Sequence, residues 1–504
     1  MTTTELLARY GFRDHAADRL AAFAAVQRWF AERDAAVTAT EVDDAAVLSE
    51  ETGCAVLFTV LAVDYEGGAH DRYQVPIGVI EGTAEDVADP AWVIAEGARD
   101  GSPVVFVDAL THARCASVLW RVMAEERTVA TVHGELRGRG ATIHIDGDLA
   151  QQLRPLGREQ SNTSLVRADS ELLKCFRHLE DGPTPELEMT ETLSSAGFTA
   201  VPTPLGAIEY RREGLDTSLA ALLQPFFHNG TEGWAMALTS LRDLYAAAED
   251  SGDEGADAIR AAIDSQGSTF LPEAARLGET TAEMHIALSS DRLPETMRPQ
   301  PVDQQTLRRW AAEMTADLDR LLERQSAALD PLRDIRPAVV AGFDAIGELR
   351  EGGLAIRVHG DYHLGQVLRT DAGWTVLDFE GEPTRNLSER RLRSSPLRDV
   401  AGMTRSLDYA ATVALLERTA PTDPDRDRLM AYGDAWAAAN RRLFWGAYLA
   451  RVGTAPMLPD AAATTALRRA FEVQKAVYEA DYELGHRPDW LAIPLRFLLR
   501  EVGS

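Results

Sequence analysis

The sequence predicts an α+β protein of more than one lobe, with a strand-rich first part and a mostly helical second part. Three observations predict this. Short apolar runs such as CAVLFTVLAVDY, from Cys54, and RYQVPIGVI, from Arg72, have the length and β-branched content of buried strands. From about residue 215, stretches such as GWAMALTSLRDLYAAAE and RLGETTAEMHIAL repeat apolar residues every three or four positions, the period of an amphipathic helix. The 504 residues, 45% of them apolar, are enough for two or three packed cores.

In chain order, residues 1–150 read as an N-terminal cap with its own sheet. An opening helix is followed by the two apolar runs, and the tract from Gly101 to Ala150 continues with strand-like VVFVDAL, ASVLWRVM and ATIHIDG. Residues 151–235 read as a small sheet with one helix. REQSNTSLVRADSELLKCFRHL is strand, polar turn, strand, and PELEMTETLSSAG is a helix with Pro185 near its start and Gly197 near its end. AIEYRRE supplies another strand. Residues 236–504 are mostly helical, interrupted by two short strands, LAIRVHGD and WTVLDFEG, while AEDSGDEGADA and TAPTDPDRDR are polar loops.

A formal charge of -28 argues against a nucleic-acid backbone or an anionic membrane as partner, though a local site can still take a nucleotide. The three cysteines, Cys54, Cys115 and Cys175, form neither a CxxC pair nor a zinc quartet, and are expected as reduced, buried thiols. The first residues do not read as a signal peptide, and no apolar run is long enough to span a bilayer, so a cytoplasmic location is expected.

The chemistry concentrates in VHGDYHLGQVL, residues 358–368, and WTVLDFEGEP, residues 374–383. An apolar strand that delivers carboxylates at its end is costly unless those charges meet a metal or strong donors. Phosphoryl transfer needs a carboxylate to orient the attacking hydroxyl and oxygen ligands for magnesium. Asp361 is the candidate base, Gln366 and Asp378 the candidate metal ligands, and Glu380 a candidate for a second ion or its water shell. His359 and His363 lack a third ligand for zinc and the HExxH pattern, so a loop-bracing role is expected for His359. A nucleotide also needs a cation. Lys174, in the apolar strand SELLKCF, is placed to meet its phosphates, and Glu188 on the following helix is chosen as its partner over Glu186 and Glu191. The preceding polar turn, including Ser161, Asn162, Thr163 and Ser164, can offer amides and hydroxyls to phosphates, although it is neither a Walker loop nor a GxGxxG loop.

REQSNTSLV, LLKCFR, NGTEGWAMAL, LGETTAEMH, HGDYHLGQVLR, LDFEGEP, SPLRDVAGMTRSLDYA and YEADYELGHRPDWLAIPL together resemble the maltokinase family of actinobacteria, particularly its glucosamine-kinase-like relatives. The resemblance spans about residues 150–500 and is weaker before them. It implies a bilobal core like that of protein kinases and aminoglycoside phosphotransferases, with an N-terminal cap and a helical C-lobe. It also implies ATP and Mg2+ as cofactors and the same roles for Lys174, Glu188, Asp361, Gln366 and Asp378. The implied acceptor is a sugar, glucosamine at its 6-hydroxyl ahead of maltose at its anomeric hydroxyl, because QRWFAERDAAV lacks the Gly- and Lys-rich continuation common in maltokinases. A non-catalytic nucleotide- or sugar-sensing pseudokinase is the alternative from another class. An ammonium-bearing sugar calls for carboxylates and aromatic platforms. Candidates are Tyr478, Glu479, Asp481, Tyr482 and Trp490 near the C-terminus, and Asp408 and Tyr409 on another helix. The expected partner is a small sugar, with no nucleic acid and no membrane. The expected assembly is a monomer or weak homo-oligomer, with room for a pathway-enzyme partner.

Overall fold

The computed structural model describes the chain apart from residues 13–14, 31–35, 141–142, 146, 158–161, 267–268, 383–384, 421 and 504 and the side chains of 502 and 503. The described residues form two compact units, one of residues 1–188 and 202–228, the other of residues 189–201 and 229–504.

The first unit opens with helices α1 (Thr3–Arg9) and α2 (Ala16–Ala25) and a six-stranded sheet. Its strands are β1 (Val37–Glu51), β2 (Cys54–Tyr65), β3 (His70–Gln74), β4 (Ile77–Glu81), β5 (Val93–Arg99) and β6 (Ser102–Asp108). The order is β1-β2-β4-β6-β5, with β3 pairing β2. The run from Arg72 thus splits into two strands, as Pro76 has no N–H to continue a ladder. β2 is apolar almost throughout because both its faces are covered. Ala55, Leu57, Leu61, Val63 and Tyr65 pack with α1 and α2, while Cys54, Val56, Phe58 and Val60 pack into a second core.

That second core is built on α3 (Ala113–Ala124). ASVLWRVM is therefore helix, contrary to its strand-like appearance. Cys115, Val118, Leu119, Val122 and Met123 recur at the helical period and are buried. Of ATIHIDG, the described residues 143–145 form no strand. The other side of α3 meets a seven-stranded antiparallel sheet of β7 (Thr128–Ala130), β8 (Gly134–Arg139), β9 (Leu153–Pro155), β10 (Asn162–Arg167), β11 (Glu171–Phe176), β12 (Gly206–Arg212) and β13 (Thr217–Pro225), ordered β7-β8-β12-β13-β11-β10-β9. Buried Asp44 fastens β1 to this sheet, accepting from Tyr210 Oη at 2.7 Å, Thr131 Oγ1 at 2.6 Å and His133 N at 3.0 Å. After β11 the chain enters α4 (Pro185–Ser195), whose first turn carries Glu186 and Glu188.

The second unit holds α5 (Gly233–Ser251), α6 (Ala256–Ser265), α7 (Leu271–Leu288), α8 (Gln304–Glu323), α9 (Asp330–Gly347), α10 (Leu387–Arg390), α11 (Leu397–Arg418), α12 (Arg426–Val452), α13 (Ala461–His486) and α14 (Ala492–Gly503). Two small sheets accompany them. One is β14 (Thr231–Glu232), β17 (Val367–Thr370) and β18 (Gly373–Val376), the other β15 (Gln300–Asp303), β16 (Glu351–Arg357) and β19 (Arg393–Ser394). α11 is buried nearly all round, with Val400, Met403 and Leu407 in one core and Leu397 and Ala401 in another. α7 and α12 touch through their backbones at Gly278, where an added Cβ would lie 2.1 Å from Phe444 O. No described helix is long and apolar enough to cross a membrane. The predicted class, α+β with an N-terminal sheet-bearing cap and a helical C-terminal lobe, is the one observed.

Candidate active site

The loop after β16 carries Asp361, and its shape is fixed by α11, which starts 36 residues after that aspartate. The Asp399 carboxylate, in the first turn of α11, accepts from His359 N at 2.8 Å and from Gly360 N at 2.9 Å. His285 Nε2 lies 3.1 Å from the same carboxylate, and Tyr448 Oη lies 3.0 Å from His285 Nδ1. Burial works to raise the Asp399 carboxyl, but the His285 bond and charge, with the loop amide, hold it below its ordinary value. The close approach of α11 is possible at Gly402, where a Cβ would stand 2.5 Å from Tyr362 O.

His359 Nε2 bonds Leu377 O at 2.9 Å and its ring lies between those of Tyr362 and Phe379, so this histidine braces the loop. His363 Nδ1 accepts from Gly365 N. Among the described residues no group of three His, Cys, Asp or Glu is placed to hold a metal ion.

Gln366 and Asp378 are brought together by a hairpin. β17 and β18 pair Val367 with Val376 and Thr370 with Gly373, and Leu377 N bonds Gln366 O at 2.9 Å. Gln366 Nε2 therefore lies 3.0 Å from Asp378 Oδ2. Asp378 adopts φ of 60°, a left-handed conformation that an aspartate accepts only at some cost. Two neighbouring oxygen-bearing side chains, one amide and one carboxylate, fit magnesium, which takes one or two protein ligands and fills its octahedron with phosphate oxygens and water. Glu380 is half-buried, and its carbonyl accepts from Arg390 Nη1 at 3.2 Å.

Lys475, on α13, is the residue that the sequence reading missed. Its ammonium lies 3.3 Å from Asp361 Oδ1 and 3.1 Å from Glu382 Oε1. Glu382, 3% exposed, also binds Arg385 Nε at 2.7 Å and Arg398 Nη2 at 3.0 Å through its other oxygen. Burial raises the Glu382 carboxyl, but Lys475, Arg398 and Arg385 outweigh it and bring it down to about 2. Asp361 is likewise lowered. Burial opposes ionisation, while the Lys475 charge and then the His363 hydrogen bond and charge favour it. Lys475 in turn is raised, because Glu382 and Asp361 overcome its desolvation. A signal was available: of 51 Lys and Arg residues only Lys174 and Lys475 are lysines.

Lys475, Glu382 and Gly360, the residue before Asp361, border a cavity of about 1880 Å³, counted with its open mouth, whose lining also includes Arg385, Tyr478, Asp481 and Tyr482. Residues 475, 478 and 482 share one face of α13 by helical spacing. Three of the predicted sugar contacts, Tyr478, Asp481 and Tyr482, are thus together, with Asp481 also paired to Arg324 at 2.6 Å. The others lie apart. Asp408 and Glu479 both neutralise buried Arg405, at 3.2 and 2.7 Å, and Tyr409 Oη reaches Glu483 at 3.4 Å. Trp490 lies under the Arg487 guanidinium.

In the first unit, Lys174 faces Ser164 across the β10–β11 pair and Leu222 across β11–β13. Its ammonium is 5.3 Å from the Phe176 ring, and Phe176 packs with Leu187, next to Glu188 on α4. Asn162 and Ser164 share the Lys174 face, and Ser164 Oγ is buried without a hydrogen-bond partner among the described residues. Thr163 points to the opposite face, where its hydroxyl accepts from Arg177 Nε at 2.8 Å. Ser161 lies outside the described residues.

Residues 23–111 match the family model of the maltokinase N-terminal cap domain, in the part of the chain where the sequence resemblance was weakest. A glucosamine kinase of Streptacidiphilus jiangxiensis is 31% identical over 351 residues, 67% of this chain and 70% of that protein. A glucosamine kinase of Mycolicibacterium smegmatis (strain ATCC 700084 / mc(2)155) is 29% identical over 344 residues, 68% and 77% of the two chains. Among solved structures, a glucosamine kinase in crystal form B aligns with a TM-score of 0.64 at 24% identity, covering 93% of this chain and 94% of that one. A glucosamine kinase in complex with glucosamine, ADP and inorganic phosphate aligns with a TM-score of 0.62 at 23% identity, covering 95% and 97%. The solved structures share the fold, and the relationship to the Streptacidiphilus protein extends over more than two thirds of its length: the chain belongs to the glucosamine kinase family of phosphotransferases.

Proposed function

We propose that this protein is an ATP-dependent sugar kinase that transfers the γ-phosphoryl group to the 6-hydroxyl of glucosamine. One observation carries the reading: Asp361 stands, paired to Lys475 at 3.3 Å, in a loop bordering a cavity edged by carboxylates and by the rings of Tyr478 and Tyr482. The acceptor hydroxyl donates its hydrogen bond to Asp361. Lys475 and His363 lower this carboxyl, which weakens it as a base, so its work is orientation, with the proton arriving late as phosphoryl transfer proceeds. Lys475 keeps that carboxylate charged and aimed. Lys174 aligns the phosphates of ATP, with Glu188 as its partner and Asn162 and Ser164 on the same face. Gln366 and Asp378 would hold magnesium, whose charge offsets that of the transferring group. Asp481 and neighbouring carboxylates suit the glucosamine ammonium.

A second reading, maltose phosphorylation at the anomeric hydroxyl, draws on the match to the maltokinase cap. The deciding experiment is magnesium-dependent ADP release against glucosamine, glucose, maltose, N-acetylglucosamine and an aminoglycoside, with Asp361→Asn as control. Glucosamine-selective release supports the proposal, and maltose-selective release supports the second reading. No sugar-dependent release from the folded wild type, or equal release from D361N, overturns both.

A further inference from the structure

Two of the three cysteines meet in the interior of the first unit. Cys54 opens β2 and Cys115 lies on α3, 61 residues apart in sequence, yet their sulfurs are 3.6 Å apart. A seat exists for the second sulfur. Gly78 of β4 has no side chain, and a Cβ there would stand 2.6 Å from Cys115 Sγ. Cys115 is sealed from solvent, whereas Cys54 is 8% exposed. Beside Cys54, Arg114 donates to Thr52 O at 3.2 Å and pairs with Glu51. Bringing the sulfurs to a disulfide length of about 2.05 Å needs a movement of roughly 1.5 Å, within reach of side-chain rotation and small helix adjustment.

We infer that Cys54 and Cys115 are a modification site, joined by a hydroperoxide into a reversible disulfide that ties the cap sheet to α3. Cys54, the accessible sulfur, attacks first. Its hydrogen bond with Cys115 favours the thiolate against burial, and the Arg114 charge helps, while that bond and burial push the Cys115 thiol up. The Cys54 thiolate forms an S–O bond to the peroxide as the O–O bond breaks, and the departing hydroxide takes up the thiol proton as water. Cys115 sulfur then attacks Cys54 sulfur. The S–S bond forms, the S–O bond breaks, and the second hydroxide leaves as water with the Cys115 proton. Two thiols lose two electrons and one hydroperoxide gains them. Because α3 packs on both the cap sheet and the Leu165, Leu173 and Cys175 face of the second sheet, the crosslink fixes the element on which both layers rest.

The test treats reduced full-length protein with hydrogen peroxide, removes the oxidant, then denatures and alkylates with N-ethylmaleimide. The expected product has lost two hydrogens, carries one maleimide, at Cys175, and yields a peptide joining the Cys54 and Cys115 segments. Dithiothreitol restores three alkylatable thiols. Cys175→Ser gives the same crosslink, and Gly78→Ala, which crowds the Cys115 seat without removing a thiol, slows crosslinking by about tenfold. Three alkylated thiols after peroxide, a crosslink through Cys175, or an unchanged rate in G78A overturns the inference.

Discussion

Replacing Lys475 with methionine keeps the apolar stem and removes the one charge shared by Asp361 and Glu382. A Glu382 carboxyl held at about 2 rather than its ordinary 4.5 is stabilised as the anion by about 3 kcal/mol, at 1.36 kcal/mol per pH unit. Lys475 is the largest of three cations that do this, so its share is roughly 1–2 kcal/mol, and Asp361 loses a similar neighbour. The variant should lose about 2–3 kcal/mol, near the lower end of the cost of breaking a buried pair. The sign with pH follows from the lowered carboxyl. Its stabilisation is full above 4.5 and drains away as pH falls toward 2, because the folded state then resists protons that the unfolded chain takes up. Urea midpoints of wild type, K475M and K475R at about pH 7 and about pH 3.5 read this directly, without assuming a two-state transition for a chain of two units. The gap between wild type and K475M should be wide at pH 7 and narrower at 3.5, with K475R close to wild type at both. An equal gap at the two pH values, or K475R as weak as K475M, would mean that Lys475 acts by packing and not by charge.

Asp399→Asn should lower turnover by more than tenfold and stability by about 2–4 kcal/mol, since it removes a buried charge that two loop amides and His285 share; steady-state kinetics and thermal melting check it. Asp361→Asn should leave ADP binding, followed by calorimetry, within about threefold while turnover falls by about a thousandfold. Lys174→Ala should raise the KM for ATP, and unchanged ATP kinetics would sink its role. Asp44→Ala strands the buried Tyr210 hydroxyl and the Thr131 and His133 donors and should cost about 3–5 kcal/mol in the first unit.

Much of this was legible because it is local. The helices over Gly233–Ser251 and Leu271–Leu288 follow from apolar spacing, and Gln366 and Asp378 were picked out by residue type, although the strand Val367–Thr370 and the two-residue hairpin that joins them were not read. ASVLWRVM was misread because eight residues are too short a window to tell a buried helix from a strand, and the helical spacing of Cys115, Val118, Leu119, Val122 and Met123 shows only over the whole of Ala113–Ala124. The brace from Asp399 and the charge from Lys475 were out of reach for another reason. Their partners lie 40 and 114 residues away, and nothing in the flanking sequence says which face of a helix will meet the loop. Glu479 and Asp408 show the converse, carboxylates well suited to a sugar that the fold spends on Arg405.

The scarcity of lysine makes the protein its own spectroscopic probe. Isotope-labelled lysine would put a single reporter in each compact unit, Lys174 on the strand that faces α4 and Lys475 beside Asp361. Nucleotide and sugar could then be titrated separately, each resonance answering for its own half of the molecule with no mutation made.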